Sequence, residues 1–205
     1  YDILAVLMSG IVISTFSAFI LRYIYYIKIP FEWRFNQIIL ILIASYFCGI
    51  LFQESGSFIQ KKLIFRKNGL LKKALSVEDN DHGRLTLFEK EKIYKYVKHK
   101  LKLKEDNHSV IYNYCKFYLL KNGKIEKIEK DQSLSAMSRS LSLYFAILTV
   151  FAFITFIFDP NLTKLALMFC SMLFSVVLYY RSVRFAIIRY TNIFRTFYYE
   201  CACFS

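Results

Sequence analysis

Two uncharged stretches decide the fold of this chain: LSLYFAILTVFAFITFIF at residues 141–158 and LALMFCSMLFSVVLYY at residues 165–180. A helix needs about 20 predominantly apolar residues to cross the roughly 30 Å hydrocarbon core of a membrane. The second stretch approaches that length because Leu162 and Thr163 extend it. Helices buried in a soluble core rarely keep so many residues free of charge. The two stretches therefore predict a pair of transmembrane helices.

The N-terminal part of the chain repeats this pattern. The run Leu4–Ile27 contains a single charge, at Arg22, and the run Gln37–Phe52 contains none. The first run is too long for a cleaved signal peptide and has no small-residue cleavage site. We therefore predict an all-α integral membrane protein, a bundle of four transmembrane helices with a helical cytoplasmic region.

The composition fits membrane spans joined by basic segments. The 205 residues are 56% hydrophobic and carry 28 Lys and Arg against 15 Asp and Glu, a net charge of +13. Average globular chains are about 45–50% apolar, so the excess apolar residues and the excess cations must occupy different segments. This composition excludes a disordered chain, a collagen-like chain and a disulfide-rich scaffold. It does not indicate any particular reaction.

The basic residues predict the orientation of the spans. The connection 53–138 carries nineteen Lys and Arg against eleven Asp and Glu, and the segment after Tyr180 adds four arginines. The connections Lys28–Asn36 and Asp159–Lys164 are nearly neutral. Basic segments beside spans stay in the cytoplasm, so we expect both termini and the central region on the cytoplasmic side of a bacterial inner membrane. No disulfide is expected there.

Charge and apolar runs divide the chain into four segments. These are a transmembrane hairpin at 1–53, a basic helical cytoplasmic region at 54–138, a second hairpin at 139–180 and a basic amphipathic tail at 181–205. In the central region we predict helices at 58–76, 88–103 and 109–120, and a helix from Lys124 that continues into the third span. We expect this region to have little core of its own and to lean on the membrane helices or on a second copy.

The tail is predicted to be one helix with a basic face and an aromatic face. At about 100° per residue, its basic residues share one arc, and these are Arg181, Arg184, Arg189 and Arg195. A helix held at anionic lipid headgroups would place its arginines this way, each contributing about 1 kcal/mol. A nucleic acid or an acidic protein partner would select the same pattern. The sequence alone does not separate these anionic partners.

Two further patterns concern helix packing. Small residues at helical spacing predict a close seam between the first two spans, formed by Gly10, Ser14, Ser17, Ser45 and Gly49. This seam fits packing within one bundle and packing between copies equally well. Glu54 and Arg139 lie at the cytoplasmic ends of the second and third spans, and we predict an ion pair between them at the interface.

The sequence lacks the motifs of cofactor chemistry. Its glycines are too widely spaced for a phosphate-binding loop. The acidic run 78–83 resembles a calcium loop, but His82 occupies a position that requires an oxygen ligand. The thiols of Cys201 and Cys203 are too few for a zinc site. We therefore predict no cofactor and no metal.

A resemblance to known proteins rests on the segments YNYCKFYLL (112–120) and AMSRSL (136–141). A span hairpin and the Arg-aromatic helix follow these segments. The layout is similar to SLATT-type effectors of bacterial nucleotide-signalling defence and to the membrane accessory proteins beside type VI-B CRISPR effectors. The resemblance covers about the last 95 residues. It implies an inner-membrane accessory or effector protein that oligomerises into a pore, and it carries over no active-site residue. SLATT-type chains usually have two spans, whereas four are predicted here.

Three functions are compatible with these features, and the first two belong to different classes. The first is a non-enzymatic membrane effector that alters permeability, with lipids, further copies of itself and a cytoplasmic protein or nucleic acid as partners. The second is a membrane-embedded enzyme acting on lipid, whose polar groups would be Glu54, Ser55, Ser138 and Arg139. A scaffold subunit of a larger complex is a third possibility.

Overall fold

The computed structural model describes residues 2–26, 35–60, 85–102, 107–124 and 126–202. All regular structure in these ranges is helical. The helices are α1 (Asp2–Tyr23), α2 (Phe35–Ile59), α3 (Leu87–Leu101), α4 (His108–Lys121), α5 (Glu126–Phe158) and α6 (Leu162–Phe197), and a π-helical turn at Tyr198–Ala202 follows α6. Four segments are long and apolar enough to cross a membrane: Ile3–Arg22, Ile38–Ile59, Ile128–Phe158 and Leu162–Cys201. The predicted all-α class and the four spans are confirmed.

Several predicted features lie outside the described residues. These are most of the connection Lys28–Asn36, the part of the 58–76 helix after Gln60, the acidic run 78–83, and Cys203.

The chain forms two compact units. The first contains Tyr1–Gln60 and Ser133–Ser182, and the second contains Lys61–Gln132 and Val183–Ser205. The segments 54–138 and 181–205, which the sequence suggested as separate regions, thus contribute most of their residues to one unit. Helices α5 and α6 each contribute residues to both units.

The first unit has a small apolar core where α1 meets α5. Its buried residues are Ile13, Ile20, Leu141, Tyr144, Phe145 and Leu148. Many large apolar side chains of the four spans are instead exposed, including Leu40, Phe47 and Leu173. This distribution is typical of helices whose outer faces contact lipid tails.

The second unit has an apolar core that residues of the central region and of the tail form together. Ile93, Val97, Ile111, Cys115 and Leu119 of α3 and α4 are fully buried. They pack with residues from the end of α6 and the turn after it, namely Ile193, Phe194, Phe197 and Tyr198. The tail supplies a large part of the core that the central region lacks by itself.

Capping interactions fix where α3 and α4 begin. The Thr86 side chain accepts a hydrogen bond from the Glu89 backbone amide, and the Glu89 carboxylate accepts one from the Thr86 amide at 2.8 Å. This reciprocal capping box satisfies two otherwise unpaired donors. The Asn107 side chain caps α4 by accepting from Ser109 and Val110. These local signals start both helices at defined residues.

Candidate anion-binding arginines and helix seams

The four arginines of the predicted basic face have different surroundings. Arg181, in the first unit, is exposed, and so is Arg184, in the second. Arg189 and Arg195 are only partly exposed and contact other residues of the second unit. The structure therefore does not present all four as one free surface.

Arg189 packs among polar and aromatic side chains. Its Nη1 donates a hydrogen bond of 3.3 Å to Oε1 of Gln132, and its guanidinium carbon lies 4.9 Å from the ring centroid of Tyr190. Its Nε is buried and has no hydrogen-bond partner. A buried N–H without an acceptor costs about 1–3 kcal/mol, so this arrangement requires an explanation.

The neighbouring polar residues of α6 are engaged within the second unit. Arg195 Nε lies 4.0 Å from Glu89 Oε1 of α3. Asn192 Nδ2 donates to Asp131 Oδ2 of α5 at 2.8 Å. These contacts join α6 to α3 and to the first turns of α5, so this part of the basic face serves the packing of the unit.

The face opposite the arginines forms the core. Phe194 and Phe197 are fully buried. The Phe197 ring is in edge contact with three tyrosines of α3 and α4, Tyr96, Tyr114 and Tyr118. Such edge-to-face contacts add about 0.5–1.5 kcal/mol each beyond burial, so the aromatic face is an internal surface.

Glu54 and Arg139 are not brought together as an ion pair within the described residues. Arg139 Nη1 donates to Gln60 Oε1 at 2.9 Å, and Glu54 is exposed. A Cβ on Gly56 would lie 3.0 Å from Arg139 Cγ. Gly56 and Gln60 are four residues apart and share a face of α2, whereas Glu54 is about 200° around the helix from Gly56. Arg139 therefore packs against a face of α2 on which Glu54 does not lie.

Four of the five predicted packing residues meet between α1 and α2. A Cβ on Gly10 would lie 1.7 Å from the Ser45 carbonyl oxygen, and one on Gly49 would lie 2.2 Å from the Val6 oxygen. Ser45 Oγ donates to Ser14 Oγ at 3.1 Å. The two backbones are therefore in direct contact. Ser17 does not join this seam, because its hydroxyl bonds instead to the Tyr144 hydroxyl of α5 at 2.8 Å.

A second seam, between α5 and α6, was not anticipated. Ser135 and Ser182 each donate to the other's backbone carbonyl, at 2.9 and 3.2 Å, and Ser142 and Ser175 do the same at 2.9 and 3.0 Å. The hydroxyls of Thr149 and Ser171 lie 2.9 Å apart. We call these three pairs the hydroxyl ladder. Its signal in the sequence is the seven-residue spacing of Ser135, Ser142 and Thr149 and of Ser175 and Ser182.

In the first part of α6 the few buried residues are polar, and most large apolar residues are exposed. Between residues 162 and 182 the buried residues are Lys164, Ser171 and Ser182. Lys164 Nζ pairs with Asp159 Oδ2 at 2.5 Å and lies 5.8 Å from the Tyr25 ring. The Tyr25 hydroxyl bonds to the Thr155 hydroxyl at 2.8 Å. Polar contacts therefore dominate the buried side of this helix.

The remaining candidates from the sequence are metal ligands, cysteine thiols and the serines of a possible lipid enzyme. In the ranges that the structure describes, no three metal-ligating side chains of His, Cys, Asp or Glu are grouped closely enough to hold a metal ion. Burial raises the pKa of the Cys115 thiol, and Cys201 packs against the same core. Ser55 is exposed and Ser138 is buried, so the two differ in access to solvent.

Comparison of the chain with protein-family models, with curated proteins and with solved structures finds no match.

Proposed function

We propose that this chain is a non-enzymatic accessory or effector protein of the bacterial inner membrane, which assembles as an oligomer and alters membrane permeability in antiviral defence. The four apolar helices support a membrane location. The layout of the second half, with its hairpin and Arg-aromatic helix, supports the class of effector.

The observation that carries the proposal is that α5 and α6 contribute to both units. Their apolar parts, with the hydroxyl ladder, belong to the first unit, and the end of α6 lies in the core of the second. A partner that changes the conformation of the second unit therefore acts on parts of α5 and α6, the same two helices that form the third and fourth spans. Such continuity is what a signal-coupled membrane effector requires.

The permeability test uses purified full-length protein in vesicles of phosphatidylethanolamine and phosphatidylglycerol. We expect release of trapped carboxyfluorescein or loss of an ion gradient, with a rate that rises more steeply than the first power of the protein-to-lipid ratio. A steep dependence reports an assembly of several copies. Vesicles that stay tight at every ratio, while correctly oriented protein is present, would refute the proposal.

A matched pair of variants separates a specific pathway from general membrane damage. Gly49→Leu forces a side chain into the α1 backbone, whereas Ala44→Leu, on the same helix, creates the same side chain at an exposed position. We expect Gly49→Leu to abolish leakage and Ala44→Leu to retain it. Equal leakage from both variants would assign the leak to disruption of lipid by apolar helices.

The proposed orientation has both termini in the cytoplasm. Cysteines introduced one at a time into 28–34 should react with a membrane-impermeant maleimide added outside intact spheroplasts. Replacing the exposed Arg181 and Arg184 by Gln should increase the misoriented fraction, because cations beside spans set topology. Labelling that requires opened membranes would overturn the orientation.

A further inference from the structure

Arg189 is a partly exposed cation whose hydrogen-bonding partner is neutral. Its Nη1 bonds to an amide oxygen, Gln132 Oε1, and its buried Nε has no acceptor. The nearby Asp131 carboxylate accepts a hydrogen bond from Asn192. Arg195, by contrast, has the carboxylate of Glu89 at 4.0 Å. Arg189 thus differs from Arg195 in lacking a carboxylate contact within the described residues.

Two tyrosines adjoin this guanidinium. Tyr112 of α4 and Tyr190 of α6 have ring centroids 5.0 Å apart, and the Arg189 guanidinium lies against the Tyr190 ring. Burial raises the pKa of Tyr112, and the positive charge of Arg189 opposes that rise. The guanidinium is therefore close enough to act on the phenol, and at neutral pH the phenol keeps its proton and can donate it in a hydrogen bond.

The group is accessible from outside the unit. Arg189, Tyr190, Tyr112 and Gln132 are each partly exposed. The Arg189 side chain can offer N–H donors and Tyr112 can offer an O–H donor, from two different helices. A partly buried set of donors around a guanidinium that no described carboxylate contacts is suited to an oxyanion.

We infer that Arg189, with Tyr112 and Gln132, forms a binding site for the phosphate group of a ligand. The guanidinium N–H groups lie in one plane, and the phenol belongs to the facing helix. A tetrahedral phosphate can place separate oxygens toward each, which a planar carboxylate cannot do as well. The phosphate would accept hydrogen bonds from the Nη groups of the guanidinium and from the Tyr112 hydroxyl.

The inference goes beyond the proposed function, because it names a ligand class that would regulate the second unit. Only the effect of phosphate binding on permeability depends on the proposed function. The experiment below measures the binding itself. A phosphate group can come from a soluble ligand or from a lipid headgroup. The experiment separates these two sources.

Binding is measured on the full chain in an uncharged detergent by isothermal titration calorimetry. The probes are inorganic phosphate and pyrophosphate, with chloride at equal ionic strength as a control, and phosphatidylglycerol added to the micelles as the lipid arm. Variants are Arg189→Gln, Arg189→Lys and Tyr112→Phe, and the matched control is Lys121→Gln, an exposed cation of the same unit. Circular dichroism and thermal unfolding verify that each variant is folded.

A charge-assisted hydrogen bond is worth enough that its loss weakens binding about tenfold or more. We expect a tenfold loss for Arg189→Gln, a smaller loss for Arg189→Lys and Tyr112→Phe, and less than a twofold change for Lys121→Gln. A response to phosphate or pyrophosphate assigns a soluble ligand, and a response to phosphatidylglycerol alone assigns a headgroup. No binding in either arm, or equal weakening by Lys121→Gln and Arg189→Gln, would overturn the inference.

Discussion

The hydroxyl ladder makes a quantitative prediction about the stability of the α5–α6 pair. It contains five interhelical hydrogen bonds: two in each serine pair and one between Thr149 and Ser171. Interhelical hydrogen bonds inside membranes contribute about 0.6 kcal/mol each. The ladder should therefore contribute about 3 kcal/mol to the free energy of unfolding, which is substantial against a typical total of about 5–15 kcal/mol.

The geometry also predicts for which pairs of substitutions the losses of unfolding free energy are additive. Ser142 and Ser175 each donate to the other's backbone carbonyl, so their two bonds are separate. Ser142→Ala and Ser175→Ala should each lower the unfolding free energy by about 0.6 kcal/mol, and the double variant by about 1.2 kcal/mol. Thr149 and Ser171 share one bond. For Thr149→Ala and Ser171→Ala, removal of the second hydroxyl should lower the unfolding free energy by less than removal of the first.

Ser140→Ala is the matched control. Ser140 is fully buried, but its hydroxyl donates to the Ala136 carbonyl within α5 at 3.0 Å, so the change in volume is the same and no interhelical bond is lost. Unfolding would be followed by circular dichroism in mixed micelles titrated with dodecyl sulfate. The reasoning fails if Ser142→Ala is no more destabilising than Ser140→Ala, or if the Thr149–Ser171 cycle is strictly additive.

Other residues yield shorter predictions. Thr86→Ala removes the capping box of α3 and should destabilise the second unit by about 1 kcal/mol, seen as faster amide hydrogen exchange in α3; unchanged exchange would show that the cap is unimportant. Glu200→Gln breaks the ion pair with Lys124 and should change the unfolding free energy by less than about 1 kcal/mol, because exposed pairs contribute little. Cys115 should resist maleimide in the native state because it is fully buried with a raised pKa, and rapid labelling would indicate opening of the core.

The sequence was sufficient to predict the spans, because an uncharged run of membrane-crossing length is a local property. Helices α3 and α4 were also predictable from apolar spacing and capping residues. The core of the second unit was not, because it joins α3 and α4 to residues such as Phe194 and Phe197, far along the chain. Amphipathic spacing identifies the buried face of a helix but does not identify the element that covers it.

The same limit applies to the polar sites. A row of arginines has the same spacing whether each side chain faces solvent, as Arg184 does, or reaches a carboxylate or an amide, as Arg195 and Arg189 do. The small-residue pattern between α1 and α2 predicted a close approach, but Ser17 contacts α5 instead. Serines and threonines are compatible with both lipid-facing and buried positions, so the hydroxyl ladder could be recognised only once the facing helix was known.

The seven-residue spacing on both helices gives the ladder a second, partial alignment. If α6 slid along α5 by seven residues, about 10.5 Å, Ser142 would face Ser182 and Thr149 would face Ser175, so two new hydroxyl pairs would form. By this count the ladder favours the observed alignment by one pair only. The short connection Asp159–Asn161 between the helices and the Lys164–Asp159 contact also hold the observed alignment. A longer connection would allow the last helix to occupy two discrete positions a fixed step apart, rather than a continuous range.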